Sequence, residues 1–164
     1  MKKLFTLIVT FSFPFIISSC TNPSNTFETI DANGVILPAN KDSEIFEKGK
    51  AVYNTTCASC HGINGEGQFP DAPLKPDETG KYGAPPHNDD GHTWHHDDDL
   101  ILQIINEGGM GSPSSFYPMP AFAETLSDEE KIAVISYIKT MWNDEHFTSQ
   151  YRVTEAVKQQ NDNS

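Results

Sequence analysis

The sequence predicts an all-α domain. Three observations carry that prediction. Apolar residues recur at helical spacing in three separate segments, each opened by a residue able to cap a helix. No segment shows the apolar–polar alternation of a half-buried strand. The chain also holds 11 Gly and 11 Pro among its 164 residues, so much of what lies between the helices must be loop.

The first predicted helix runs over residues 43–56, with Asp42 or Ser43 as its cap. Ile45, Phe46, Gly49, Val52 and Tyr53 fall on one face. A mid-helix glycine costs about 1 kcal/mol against alanine, so Gly49 implies a close helix crossing. A Gly-, Pro- and Asp-rich loop covers residues 62–96. The second helix begins near Asp97, whose carboxylate can cap it. Its buried stripe is Leu100, Ile101, Ile104 and Ile105, and Gly108 ends it. After a second loop, residues 108–125, Ser127-Asp128-Glu129-Glu130 forms a capping box. It opens a helix to Trp142, with Ile132, Ile135, Tyr137 and Ile138 mostly inward. The tail from Asn143 is polar, with a short helix expected around residues 151–159.

The N-terminus reads as a targeting segment. Lys2 and Lys3 precede an almost wholly apolar run from Leu4 to Ile17, too short for a comfortable membrane span of about 20 residues. The run ends Ile17-Ser18-Ser19-Cys20, which resembles a bacterial lipobox. That resemblance implies cleavage before Cys20 and acylation of its sulfur, and several acyl chains anchor a protein where one does not. The expected organisation is a signal peptide at 1–19, a flexible polar tether at 20–41, a domain at 42–142 and a polar extension at 143–164. The expected location is outside the cytoplasm, lipid-anchored, facing the periplasm or the cell exterior.

The formal net charge is −12, from 23 acidic against 11 basic residues. Such a surface argues against nucleic acid, whose phosphates need a basic face. It suits encounter with a basic protein partner.

The chemistry concentrates in Cys57-Ala58-Ser59-Cys60-His61. Two thiols separated by two residues at a helix end can add to the two vinyl groups of a haem, and the next histidine can then ligate the iron; this is the c-type attachment signature. A thioredoxin-like redox pair would need a strand–helix–strand setting. A structural zinc site would need four ligands, with a second Cys or His pair. Neither context is present in the sequence.

The sixth ligand is expected from a methionine, the thioether being the usual soft partner of histidine in electron-transfer haems. Met119, between Pro118 and Pro120, sits in a stiffened loop and is the first choice. Met110, in Gly108-Gly109-Met110-Gly111, is the reserve, and Met141 reads as core or surface.

The order of Cys57–His61, long loop, short helix, Met119-Pro120-Ala121-Phe122, Leu126-Ser127-Asp128-Glu129-Glu130 and a final helix resembles class I monohaem cytochromes c over residues 43–142. The resemblance implies a small helical fold around one covalent haem c. It implies a crossing of the first and last helices, with Gly49 and Tyr53 facing Val134 and Tyr137. It also implies a proline carbonyl, from Pro85 or Pro86, that receives the Nδ1 proton of His61. Trp94, Phe116, Tyr117 and Phe122 are candidate pocket residues.

His87, His92, His95 and His96, interleaved with aspartates, form a second candidate centre, for copper or zinc. His146 in the tail reads as surface. The expected function is a carrier of single electrons between membrane or periplasmic redox partners, not an enzyme, and open to serving as a redox subunit of a larger complex. Two other readings are a peroxidase or ligand sensor with an open iron, and a metal-handling lipoprotein using the histidine loop.

Overall fold

A computed structural model describes residues 29–163. The expected signal peptide, Cys20 and the first part of the expected tether lie outside the described residues. The helices are α1 (Glu44–Val52), α2 (Ala58–His61), α3 (Asp98–Glu107), α4 (Asp128–Lys139) and α5 (Asp144–Asp162). A π-helical turn, Tyr53–Cys57, joins α1 to α2, and a short 3-10 turn occupies Thr93–His95. Among the described residues the only β-pairing is two isolated bridges, so the domain is all-α as predicted.

Each helix start follows from its cap. The Ser43 hydroxyl accepts from the Phe46 amide, and the Asp97 carboxylate accepts from that of Leu100 at 3.0 Å. Ser127 and Glu130 make the reciprocal box. α1 and α4 cross at Gly49, where an added Cβ would lie 2.1 Å from the Ala133 carbonyl oxygen and 2.8 Å from Tyr137 Cβ. The main core joins Val52 and Tyr53 to Ile101 and Ile105 of α3, to Val134, Ile135 and Ile138 of α4, and to Trp142.

The first helix is not α-helical throughout its expected range. Thr55 Oγ1 donates to the carbonyls of Ala51 at 2.9 Å and Val52 at 3.2 Å. A hydroxyl competing for those acceptors loosens the regular ladder. The Ala58 amide reaches back to the Tyr53 carbonyl, a π-type closure placed between the two thiols, Cys57 and Cys60.

Two segments flanking the expected domain pack against its helices. From residue 29 onward the expected tether folds back on the helices: Val35, Ile36 and Ala39 are buried. Ile30 pairs antiparallel with Ile36, and Ser136 Oγ donates to the Leu37 carbonyl at 2.6 Å. The polar extension is likewise one 19-residue helix, α5, rather than a short one. Asn143 caps it, and its Gln150 and Thr154 are fully buried.

The reason in both cases is a buried polar junction. Lys139 Nζ contacts Asp98 Oδ1 at 2.6 Å, the Ile36 carbonyl at 2.6 Å and Gln150 Oε1 at 2.8 Å. Asp98 Oδ2 accepts from the Ile36 amide at 2.8 Å, and Gln150 Nε2 donates to Asp98 Oδ1. The Thr154 hydroxyl accepts from the Asp98 amide at 3.1 Å. The N-terminal segment, α3, α4 and α5 therefore meet at one fully paired charge pair, a contact that hydrophobic periodicity does not register.

Candidate functional site

The π turn and α2 present Cys57, Cys60 and His61 within little more than one helical turn. Cys57 is half-buried, Cys60 is exposed, and both are free thiols. Burial, and then the neighbouring Cys60, push the Cys57 thiol up to about 11. A thiol held protonated is the opposite of the activated thiolate of a redox Cys-x-x-Cys pair.

His61 is buried, and its Nδ1 lies 2.8 Å from the Pro85 carbonyl. A carbonyl only accepts, so Nδ1 carries the proton and Nε2 keeps its lone pair. Burial lowers the His61 pKa, with the Pro85 bond partly opposing, so the ring is neutral at pH 7. Of the two prolines implied by the resemblance, Pro85 makes this bond; the Pro86 carbonyl accepts from Thr93 Oγ1 instead. The backbone around His61 is pinned as well. The Gly67 amide donates to the His61 carbonyl at 2.7 Å, and the Tyr53 hydroxyl to that of Gly62 at 2.9 Å.

His87 is brought against this ring, which sequence reasoning missed. The two imidazoles stack at 4.0 Å with a 19° interplanar angle. Nδ1 of His87 lies 3.0 Å from Thr93 Oγ1, and the His87 carbonyl accepts from Trp142 Nε1 at 2.7 Å. Burial first, then the nearby His61 and His92, hold its pKa well below the ordinary histidine value. Proximity of Pro85 to His87 in the chain was the available signal.

The loop carrying Met119 returns to the end of α3. Phe122 and Ala123 amides cap the Ile105 and Asn106 carbonyls, and the Gly109 amide donates to the Met119 carbonyl at 3.1 Å. Gly108 has a positive φ of 91° and lies so close that a Cβ there would be 2.6 Å from the Met119 oxygen. Met119 is half-buried and packs on the main core, as do Cys57 and Ala58. Met110 is 65% exposed. Met141 is half-buried, its sulfur beside the Gly65 turn that follows His61.

Of the four candidate pocket aromatics, Trp94 and Phe122 pack on the core, whereas Phe116 and Tyr117 are about two-fifths exposed, at 40% and 39%. Trp94 Nε1 is buried without a hydrogen-bond partner among the described residues. A buried indole donor left unpaired is costly and marks a place for an acceptor. The free Nε2 of His61, beside the two thiols of Cys57 and Cys60, fits a haem iron and its two vinyl groups.

The histidine loop does not converge. His95 and His146 each stack on Trp94, at 3.8 and 3.7 Å, and His92 meets His96 edge-on. Among the described residues no three His, Cys, Asp or Glu side chains are placed to hold a metal ion. His146, expected at the surface, has only 21% of its side chain exposed and binds Asp89 at 2.6 Å.

An all-α shell with two unpaired thiols one turn apart, followed by a histidine locked in the tautomer that offers Nε2, defines a protein suited to covalent haem. The Cytochrome c family matches residues 46–142, and the chain belongs to that family. It is therefore a haem c protein of electron transfer. The chain is 30% identical over 109 residues to the cbb3-type cytochrome c oxidase subunit CcoP of Azospirillum brasilense, covering 65% of this chain and 32% of that protein. The match spans well under half of that relative's length. No solved structure matches. Among the described residues no helix is long and apolar enough to cross a membrane.

Proposed function

We propose that this protein is a single-haem electron carrier, exported and lipid-anchored through Cys20, with a His/Met-ligated iron. Cys57 and Cys60 carry the thioether links, His61 Nε2 is one axial ligand and Met119 the other. The observation that carries the reading is the Nδ1 bond of His61 to Pro85, which commits that nitrogen as donor and presents Nε2. Haem c supplies a one-electron ferric/ferrous couple when bound. The chain's own residues orient the ligands and exclude water: His87 covers the His61 ring and is itself met edge-on by the fully buried Tyr53, and the Gly109 and Phe122 hydrogen bonds hold the Met119 loop. Met119 is favoured over Met110 by its burial and by its two flanking prolines. Met141 is disfavoured because its sulfur lies beside the turn leading out of His61.

A thioether raises the potential relative to a second imidazole and closes the site to added ligands. The acidic chain charge steers encounter with a basic redox partner, so exchange weakens as salt rises. The likeness to an oxidase subunit makes a terminal oxidase the acceptor to test first, with the chain as carrier or as redox subunit.

Haem staining after denaturing electrophoresis tests attachment: wild type keeps the stain, and Cys57→Ala with Cys60→Ala loses it. Met119→Ala opens the iron to carbon monoxide or cyanide and lowers the potential, whereas Met110→Ala and Met141→Ala leave the spectrum unchanged. Rapid carbon monoxide binding by the wild type refutes the carrier reading in favour of an open-iron peroxidase or sensor. Cys20→Ala releases the protein from membranes or leaves an uncleaved precursor; unchanged fractionation and mass refute the anchor.

A further inference from the structure

The long loop after His61 touches both ends of the proposed ligand axis. Its neck closes where the Gln68 amide donates to the Ala84 carbonyl and the Ala84 amide to Gln68 Oε1, both at 3.0 Å. Next to that neck, Pro85 holds His61 and Gly67 binds the His61 carbonyl. The far part of the loop reaches the segment that leads into Met119. The Tyr82 amide donates to the Ser115 carbonyl at 2.8 Å, and the Tyr117 amide to the Tyr82 carbonyl at 3.0 Å. The rings of Tyr82 and Phe116 stack at 5.3 Å, and Phe69 meets Tyr117 edge-on at 6.3 Å.

One carboxylate organises this far end, and its two oxygens divide the work. Asp77 Oδ1 accepts from the Thr79 amide at 2.8 Å, the Thr79 hydroxyl at 2.7 Å and the Lys81 amide at 3.1 Å. With the Asp77 amide donating to the Lys81 carbonyl at 2.8 Å, residues 77–81 form a closed ring. Oδ2 accepts from the Tyr117 hydroxyl at 2.7 Å. The local turn is thus complete without Oδ2, and that oxygen serves only the link across to the methionine loop. Lys81 Nζ adds a cation 5.5 Å from the Tyr117 ring. Tyr117 is followed by Pro118, which transmits its position to Met119 with little backbone freedom.

We propose that residues 68–85 form a strap joining the two axial-ligand segments, in which Tyr117, bonded to Asp77, is a positioning residue that keeps Met119 on the iron. The proposal rests on Met119 being the ligand. Without the strap, the methionine loop is held from its C-terminal side alone, by Gly109 and the end of α3. The strap controls how often the thioether leaves, and hence how fast an outside ligand enters.

The test uses the haem-loaded protein. Imidazole is mixed with the ferric form, and the rate at which it displaces methionine is read from loss of the weak far-red methionine–iron absorption band. Tyr117→Phe keeps both ring contacts and removes only the hydroxyl; Asp77→Asn keeps the shape of the ring and removes the charge. Each is expected to raise the exchange rate roughly three- to tenfold, as loss of one charge-assisted hydrogen bond from the closed state requires. The double variant is expected to exchange no faster than the faster single one, because both remove the same contact. A purely structural role would lower the unfolding midpoint while leaving ligand exchange in native buffer unchanged. Wild-type exchange rates in both single variants, or additive effects in the double variant, overturn the strap, while the band in the wild type and its loss in Met119→Ala uphold Met119. Absence of the band in the wild type overturns the ligand assignment and the strap with it.

Discussion

The pair formed by Asp98 and Lys139 is the most informative place to perturb the fold. Both side chains are essentially fully buried, at 1% and 0% exposure, and their charged atoms lie 2.6 Å apart. Asp98→Asn removes the charge at nearly constant volume. It leaves Lys139 facing only the neutral oxygens of Ile36 and Gln150, and it places an amide donor against the Ile36 or Gln150 donors. Removing one partner of a buried pair typically destabilises by about 3–5 kcal/mol. For a domain of this size that corresponds to a fall in Tm of roughly 10–20 °C. Because the pair is buried, added salt should change the deficit little.

The pH dependence has a definite sign. Burial already holds the Lys139 pKa below its ordinary value, against the opposing pull of Asp98. A lysine depressed in the folded state contributes stability that is present above its unfolded pKa and is lost as pH falls through the folded one. Asp98→Asn deepens that depression. The deficit should therefore narrow as pH rises from neutrality toward the ordinary lysine value of about 10.4. Denaturant titrations followed by circular dichroism, with amide exchange at Ile36, measure both effects. Adding Lys139→Met to Asp98→Asn should cost far less than the sum of the single changes. A loss below about 1 kcal/mol for Asp98→Asn, or simple additivity, refutes the reasoning.

Three further outcomes follow from other contacts. Gly49→Ala drives a methyl group into the Ala133 carbonyl and should destabilise by about 1–3 kcal/mol in spite of better helix propensity, as read by thermal melts. Trp142→Phe leaves the His87 carbonyl without its donor and should cost about 1–3 kcal/mol, with broader exchange of the backbone at residues 86–88 as the local readout. Burial tends to raise the Asp31 pKa, but bonds from the Tyr151 hydroxyl and the Val35 and Asn33 amides outweigh it and leave it lowered. Its contribution is therefore present above the ordinary carboxylate range and is lost as pH falls through that range. Amide protection at Val35 should drop below pH about 4 and should be less pH-dependent in Tyr151→Phe.

The sequence alone determined the parts that depend on near neighbours in the chain. Caps at Ser43, Asp97 and Ser127, the inward positions Ile101 and Ile105 of the four expected in that helix, and the spacing of Cys57, Cys60 and His61 are all local patterns, and a local pattern survives whatever surrounds it. Gly49 also signalled its own crossing, because an unfavourable residue in a helix needs a steric reason. The sequence left Pro85 and Pro86 undecided, since their carbonyls differ only in which one meets His61, and that depends on the path of the intervening loop. The tertiary structure decided that path. It also decided that His87 stacks on His61 while its neighbours in the chain do not, and that α5 and the segment before α1 belong to the domain. Gln150, Thr154, Asp98 and Lys139 look like surface residues in any window of the chain. They are buried because each supplies the donor or acceptor that the others lack, and such complementarity between residues far apart exists only once the chain has folded.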